Sequence, residues 1–148
     1  MAQPVEIFNA WQSRQQAGDV AHLGEVVDLE GFRDICIGLS DWTTGYQAAF
    51  ANLTRNILTP FADLHMTVED VVEGQDAVVV REQVAATHVG EFLGVPATGR
   101  RVTWEAVTLV KVNDDRVVQN YTILNLWGIY QQLTAAAADA AAEVAAEP

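Results

Sequence analysis

Apolar residues near the start of the chain recur at helical spacing. Val5, Phe8 and Trp11 follow Pro4, a residue favoured at the first position of a helix, and the pattern ends near Gly18. This predicts a helix over residues 4–17 and a short second helix over residues 19–26. A third helix is predicted over residues 42–58, with Asp41 as its N-cap. Its apolar face comprises Tyr46, Ala49, Phe50, Leu53 and Ile57. A short strand is predicted between these helices, near Phe32–Ile37.

After Pro60 the pattern becomes extended. Residues 64–72 and 77–88 are rich in Val and Thr and flank a turn at 73–76, which predicts a hairpin. Residues 101–112 and 116–127 predict a second hairpin, and a helical turn over 128–133 follows it. The glycine-bearing connection 89–100 is long enough to suggest a functional loop or a sheet corner. Helices first and antiparallel strands afterwards predict an α+β fold, with the helices on one face of a curved sheet and a cone-shaped space between them.

The length and composition fit one folded domain. The chain has 148 residues, half of them hydrophobic and 19% charged. We expect a single domain over residues 1–133 and an Ala-rich acidic segment over 134–148, either a flexible tail or a docked element. No apolar run approaches the roughly 18 residues of a membrane span, and no signal-peptide pattern is present. We therefore expect a cytoplasmic protein without a membrane partner.

Charge and motif content remove several function classes. Eight basic against 20 acidic residues give a net charge of −12, which repels phosphate backbones and makes nucleic acid an unsuitable partner. The single Cys36 has only Arg33 as a basic neighbour, so a nucleophilic role is not expected. The three histidines lack metal-type spacing. Phosphate loops, nucleophile elbows and dinucleotide fingerprints are missing, so we expect neither metal nor cofactor.

The second predicted hairpin has a chemically mixed face. If Asp114 and Asp115 form a two-residue turn, alternation places eight residues on one side of the sheet. They are Trp104, Ala106, Thr108, Val110, Gln119, Tyr121, Ile123 and Asn125. Such a face is typical of a pocket for an apolar ligand, and equally of a core with satisfied polar groups. A longer turn or a bulge would shift this register and could bring Glu105 inward.

Several single residues are candidates for chemistry. Asp34 lies among apolar neighbours, so it is either an acid or base with a raised pKa or a charge at a strand edge. Arg81 stands among valines and needs a partner if buried. The candidate partners are Asp34, Glu82 and Glu105. Arg81 would serve in structural pairing or polarise a substrate carbonyl. His65 and His88 in the first hairpin are either structural or catalytic.

Residues 60–133 resemble the SnoaL-like polyketide cyclase family, which has the nuclear-transport-factor-2-like cone fold. The densest match is THVGEFLGVPATGRRV at 87–102, which resembles the family run T-H-x-G-x-F-x-G-x-P-x-T-G-R. FADLHMTVEDVV and LWGIYQQL also fit, and FRD at 32–34 resembles a family strand that often bears Asp. The resemblance implies a cone-shaped α+β barrel around a deep pocket, hydrophobic polyketide-type substrates, ring closure without a cofactor, and a homodimer.

The resemblance also carries over residue by residue. His88 matches the family histidine, and Arg81 matches a frequent strand arginine. Asn125 stands where typical cyclases have an acid/base Asp, and Tyr121 takes the Trp place in a strand pattern resembling V-x-x-W-x-x-x-D. An amide cannot abstract a proton at neutral pH. This departure favours a ring closure that needs little proton transfer.

Three hypotheses follow. The first is a natural-product cyclase that folds an apolar chain for a Diels–Alder-type closure, or for one polarised by Asn125, Tyr121 or Arg81. The second is acid/base epoxide opening or ether-ring formation by Asp34 with Glu105 or His88. The third is a non-catalytic binding protein. The candidate catalytic residues are Asn125, His88, Arg81, Asp34 and Glu105. The candidate substrate-binding residues are Trp104, Tyr121, His65, Trp42, Phe50, Thr108, Gln119 and Ile123.

Overall fold

A computed structural model describes residues 2–135. Helix α1 spans Pro4–Ala17 and is followed by a 3₁₀ helix, Val20–Glu25. Helix α1 ends at Gly18, whose φ of 68° is in the left-handed region that glycine adopts without strain. The predicted helix over 4–17 is confirmed, and the predicted second helix is present as the 3₁₀ segment. The predicted tail beyond residue 135 lies outside the described residues.

The predicted third helix begins later than expected. Helix α2 spans Tyr46–Leu53 and continues as a π-helical turn, Thr54–Leu58. Its N-cap is Gly45 and not Asp41, because Thr43–Thr44 forms the short strand β2 against β1, Arg33–Cys36. Pro60 follows the π turn and the chain then becomes extended, as the pattern indicates.

Six strands form one curved, open sheet in the order β2-β1-β6-β5-β4-β3. The long strands are β3 (Phe61–Glu73), β4 (Ala77–His88), β5 (Arg101–Asn113) and β6 (Arg116–Leu124). Both predicted hairpins are confirmed by antiparallel pairing, β3 with β4 and β5 with β6. Strand β1 joins β6 in parallel. Helix α3, Leu126–Thr134, closes the described chain. The predicted α+β class is confirmed.

A bulge in β6 decides which side chains face the helices. Asp114 and Asp115 form the predicted two-residue turn, and both have positive φ, 51° and 58°. Val112 then pairs with Val117, but Lys111 pairs with Gln119, so Val118 is an extra residue. Because one extra residue reverses the alternation, the side chains beyond Val118 exchange faces relative to the predicted register.

The helices cover the concave face of the sheet and bury two separate apolar clusters. The first lies under α1 and joins Ile7, Phe8 and Trp11 to sheet residues that include Val80 and Val110. The second lies at the α3 end and contains Ile57, Phe61, Val84, Phe92, Trp104, Ile129 and Leu133 among its members. Burial of both clusters supplies the main driving force for folding. The concave surface between them is where polar side chains lie.

Candidate functional site on the concave face

A row of polar side chains crosses the concave face between the two apolar clusters. Pairing across three strands, β1, β6 and β5, places Asp34 beside Asn120, and Thr122 beside Thr108. Thr108 itself is buried at 8% exposure. The others are half-buried. Partly buried polar groups between two apolar clusters are a feature of binding sites, where a few polar contacts orient an apolar ligand.

Hydrogen bonds link this row from strand to strand. The Asn120 amide donates to Asp34 Oδ1 at 2.8 Å, and it also lies 3.4 Å from Thr122 Oγ1. Thr122 Oγ1 is 3.2 Å from Thr108 Oγ1, where either hydroxyl can donate. Linked groups of this kind hold one another in fixed orientations. The row can therefore present hydroxyl and amide groups to a ligand oxygen in a defined geometry.

Burial changes the pKa of Asp34, the carboxyl at one end of the row. Burial raises the pKa of Asp34, while the hydrogen bond from Asn120 acts in the opposite direction. Cys36 lies on the same face two residues later, and burial followed by the charge of Asp34 raises the pKa of its thiol to about 11. A thiol of this kind is protonated at neutral pH, which agrees with the expectation that Cys36 is not a nucleophile.

Glu82 is a second carboxyl on the concave face. It pairs with the buried Ala106 of β5 and stands between Val80 and Val84 on its own strand. Burial raises the pKa of Glu82 to about 7. Within residues 2–135 we find no hydrogen bond to its carboxyl. A carboxyl that titrates near neutral pH inside a cleft is a candidate acid or base.

Helix α2 packs against strands β1 and β2 at one edge of the sheet. Its apolar stripe begins at Tyr46 and Ala49 in the first cluster, and Ile57 of the following turn lies in the second. The middle of the stripe, Phe50 and Leu53, is 40% and 36% exposed. The predicted apolar face of this helix is therefore confirmed for Tyr46, Ala49 and Ile57, whereas Phe50 and Leu53 are partly exposed to solvent.

Strand β3 leaves an apolar edge beside Glu82. Met66 and Val68 pair with Val84 and Glu82, so they share the concave face, and they are 40% and 51% exposed. Two surface depressions of the described chain lie elsewhere. One is bounded by Gly24, Val27, Asp28, Leu29, Glu30 and Arg116, and the other by Gly38, Leu39, Ser40 and Asp41. The β3 edge beside Glu82 is apolar and partly exposed to solvent.

The predicted grouping of Tyr121, Gln119 and Ile123 with Trp104 is wrong. They pair with Leu109, Lys111 and Val107, whose side chains point away from the helices. The cause is the extra residue Val118, which reverses the alternation. Trp104 stays on the concave face but is only 6% exposed, packed 5.0 Å from the Phe61 ring.

The outer face gathers several other candidates. The Trp42 ring lies 6.0 Å from that of Tyr121, and the Arg33 guanidinium lies 4.5 Å from the Trp42 centroid. Arg81 contacts Asp70 at 2.7 Å and Glu105 at 3.0 Å, measured between nitrogen and oxygen. Of the partners expected for Arg81, Glu105 is the one found. The bulge does not bring Glu105 inward, because the extra residue is in β6 and the alternation of β5 is unchanged.

The two strand histidines lie apart from the polar row. His88 is fully buried against Phe61, with ring centroids 5.6 Å apart. Its Nδ1 accepts a hydrogen bond from the Thr98 backbone N–H at 3.2 Å, so the neutral ring carries its proton on Nε2, which has no partner in the described chain. His65 is exposed and pairs with Ala85, which places it on the outer face.

Asn125 occupies a helix cap and not a strand position opposite Trp104. Its Oδ1 accepts a hydrogen bond from the Gly128 backbone N–H at 3.0 Å, which makes it the N-cap of α3. Its own backbone N–H donates to the Glu105 carbonyl at 3.1 Å. A side chain on Gly128 would meet the Asn125 amide at 2.5 Å, so this cap requires glycine there. The amide is thus committed to the fold at this point.

Residues 9–133 match the family model described as SnoaL-like polyketide cyclase. The chain belongs to the SnoaL-like polyketide cyclase family. The family resemblance of residues 60–133 is confirmed and extends into the helical half. A curated relative, the aklanonic acid methyl ester cyclase DnrD of Streptomyces peucetius, is 23% identical over 135 residues, which cover 90% of this chain and 92% of DnrD.

Solved structures agree with the family assignment. IdmH of Streptomyces antibioticus, described as a candidate polyketide cyclase, is 26% identical, with a TM-score of 0.72 over 90% of this chain and all of IdmH. An NTF2-like protein from Burkholderia thailandensis is 11% identical, with a TM-score of 0.74 over 91% of this chain and all of its own. This second likeness shows the fold alone. The expected nuclear-transport-factor-2-like fold is confirmed.

This SnoaL-like protein offers two chemically distinct residues that the sequence interpretation missed. Glu82 was considered only as a possible partner of Arg81, and the predicted register placed Asn120 on the face opposite Trp104. A signal for Glu82 existed in β5, where the apolar residues Val102, Trp104 and Ala106 alternate with polar Thr103 and Glu105 and so indicate which face is buried. Because Glu82 of β4 pairs with Ala106 of β5, its side chain lies on the same, buried face. No comparable signal existed for Asn120, because the bulge sets its face.

Two negative findings concern residues 2–135. No three His, Cys, Asp or Glu side chains come together as a metal site in this range. None of its helices combines the length and the apolar character that crossing a bilayer requires.

Proposed function

We propose that this family member is a cofactor-independent enzyme that closes a ring in an apolar polyketide-type intermediate on the concave face. The polar row between two apolar clusters carries this proposal. An apolar chain would lie between α2 and the sheet, where Phe50 and Leu53 are exposed, while Thr108 and Thr122 orient its oxygens. Holding the reacting atoms at short range can lower the barrier by about 7–11 kcal/mol at best.

Acid–base ring closure is the first candidate reaction. Asp34 lies on the concave face with a raised pKa, which a group exchanging protons near neutral pH requires. Of its expected acid–base partners, Glu105 lies on the outer face and His88 is fully buried beside Phe61. Support for this reaction therefore comes from Asp34 and Glu82. The relative DnrD is named a cyclase of aklanonic acid methyl ester, and we extend this substrate class to the present chain.

Cycloaddition is the second candidate reaction, and the amide at position 125 favours it. An Asn in the place of an acid/base Asp suits a closure in which no proton is abstracted. In that reaction the concave face acts by folding the chain, with the hydroxyl groups of the polar row polarising a carbonyl. The pH dependence of turnover separates the two candidates, because only the acid–base route follows the ionisation of a concave-face carboxyl.

Turnover of aklanonic acid methyl ester by the purified full-length chain tests the proposal, with the product identified by liquid chromatography and mass spectrometry. Leu53→Trp fills the proposed cleft and is expected to lower turnover and binding together. Leu29→Trp is the matched control, because Leu29 is 41% exposed on a loop away from the polar row. Binding without conversion of this or related polyketide esters would favour the non-catalytic hypothesis.

We propose that two copies associate through the outer face of the sheet. Val107 and Ile123 pair there and are 42% and 49% exposed, an apolar patch of the kind that protein partners cover. Ile123→Lys is expected to give monomers in light scattering coupled to gel filtration. Val20→Lys, at a 77% exposed site outside the sheet, is the control. A monomeric wild-type protein would overturn this arrangement.

A further inference from the structure

We propose that Glu82 is the catalytic residue that takes and returns the proton during ring closure. This inference rests on the proposed function and deepens it by naming the group that performs the proton transfer. The family resemblance does not point to Glu82, since the acid/base position it implies falls on Asn125. The placement of Glu82 on the concave face is the observation that carries the inference.

The neighbours of Glu82 on the concave face are apolar. Val80 and Val84 flank it along β4, and Ala106 lies opposite on β5. On the other side, Val68 of β3 is 51% exposed, which leaves this edge open for a ligand to enter.

No cation faces Glu82 from the elements packed around it. Arg81 and Asp70 point to the outer face, where they bind each other. From the helices, the apolar stripes of α1 and α2 face the sheet, and Arg14 of α1 is paired with Glu25. The other titratable groups on the concave face of residues 2–135 are Asp34, Cys36, Glu73, His88 and Tyr46. Burial therefore acts on Glu82 unopposed and raises its pKa to about 7.

Asp34 stands too far away to share a proton with Glu82. Their strands, β1 and β4, are separated by β6 and β5. At about 4.8 Å per strand, their backbones are roughly 14 Å apart. Asp34 is also tied to Asn120 at 2.8 Å, which suits a positioning residue that holds the polar row. Glu82 has no such bond within the described chain and is free to turn toward a substrate.

The chemistry balances without a cofactor or redox partner. The Glu82 carboxylate removes a proton from a carbon flanked by two carbonyl groups, and the electron pair of the broken C–H bond forms an enolate. The enolate carbon attacks a carbonyl carbon of the same chain, forming a C–C bond, while the electron pair of the C=O bond moves to oxygen. That oxygen then takes the proton back from Glu82. The product is an isomer of the substrate and the enzyme is regenerated.

Glu82→Gln tests the assignment, because it removes the acid and keeps the shape. We expect kcat for aklanonic acid methyl ester to fall by about 100-fold or more, with KM little changed. The wild-type pH–rate profile should show a limb near the titration of Glu82 that the variant lacks. Glu82→Asp, which keeps a shorter carboxyl, should retain partial activity. Glu69→Gln, at an exposed glutamate on β3, is the matched control.

A second measurement separates failure of this inference from failure of the proposed function. Deuterium exchange into the acidic C–H of benzoylacetone, followed by NMR, reports proton abstraction without ring closure. We expect acceleration by the wild-type protein and its loss in Glu82→Gln. Normal ring closure and exchange in Glu82→Gln would overturn the role of Glu82 while leaving the cyclase proposal intact. Exchange without ring closure of the ester would support Glu82 and count against the substrate class. No exchange by wild type would overturn the inference.

Discussion

The side-chain amide of Asn120 donates to the carboxyl of Asp34 across the β6–β1 boundary at 2.8 Å. Strand β1 pairs with β6 in parallel, whereas the other strand pairs of the described sheet are antiparallel. The bond joins residues 86 positions apart in the sequence. The bond holds the Asp34 carboxyl in place on the concave face, which also carries Thr108 and Thr122. The polar row of the cleft therefore depends on the docking of β1.

Replacing Asn120 by Leu should raise the pKa of Asp34 further. Burial already raises this pKa, and the hydrogen bond from Asn120 is the opposing influence. Leu has a similar size and keeps water out, but it cannot donate. The carboxyl carbon of Asp34 followed by ¹³C NMR across a pH titration gives the value directly. Asn113→Leu, at the exposed end of β5, is the control, and an unchanged pKa in Asn120→Leu would contradict the argument.

Glu82 should make the fold less stable as pH rises. Its pKa is about 7 in the folded protein against 4.5 when unperturbed, so between these values the folded state binds more protons than the unfolded state. Stability then falls as pH increases through this window, by about 3 kcal/mol at most. Glu82→Gln lacks this loss. Its urea unfolding free energy should match that of the wild type at pH 4 and exceed it at pH 8. The same difference in unfolding free energy between variant and wild type at pH 4 and at pH 8 would contradict the raised pKa of Glu82.

Asn125→Ala should lower the free energy of unfolding by about 1 kcal/mol, because it removes the N-cap of α3. Asn125→Asp keeps the acceptor oxygen and should restore most of the loss. Denaturant unfolding of the two variants beside Asn113→Ala measures the effect. Turnover by Asn125→Ala bears on the chemistry as well: a wild-type rate would exclude a polarising role for the Asn125 amide.

Cys36 should react slowly with thiol reagents in the folded protein. With a pKa of about 11, only about one thiol in a thousand is ionised at pH 8. Asp34→Asn removes a charge that helps to raise this pKa, so it should speed the reaction. The test is the rate at which Cys36 reacts with an aromatic disulfide reagent, followed by absorbance and compared between the folded protein and the protein unfolded in guanidinium. A wild-type rate equal to that of the unfolded chain would contradict the burial of this thiol.

Much of the secondary structure was predictable because its signals are local. Pro4 and Gly18 frame α1, and the alternation of polar and apolar residues over 101–106 indicates the buried face of β5. The start of α2 was not predictable in the same way. Asp41 is a suitable N-cap in sequence, but pairing of Thr43 and Thr44 with β1 moves the cap to Gly45. A tertiary contact thus outweighs a local preference there.

The candidate site was only partly predictable. Asp34 and Thr108 were expected in the site and lie on the concave face. Arg81 and Glu82 are neighbours in β4, a strand that has valines on both of its faces. The pattern of β4 alone therefore does not show which of the two side chains points inward. Pairing with β5 resolves this in favour of Glu82. The Asn125 cap was missed because β6 ends one residue before it.

By itself, the sequence of this chain determined the fold class, both hairpins and the family, since these follow from local periodicity and from a dense motif at 87–102. The composition of the cleft was decided only by the tertiary structure. One extra residue, Val118, moves Tyr121 to the outer face and Asn120 to the concave one. A bulge costs little in a strand but reverses every side chain beyond it, and nothing in the local pattern marks where it falls.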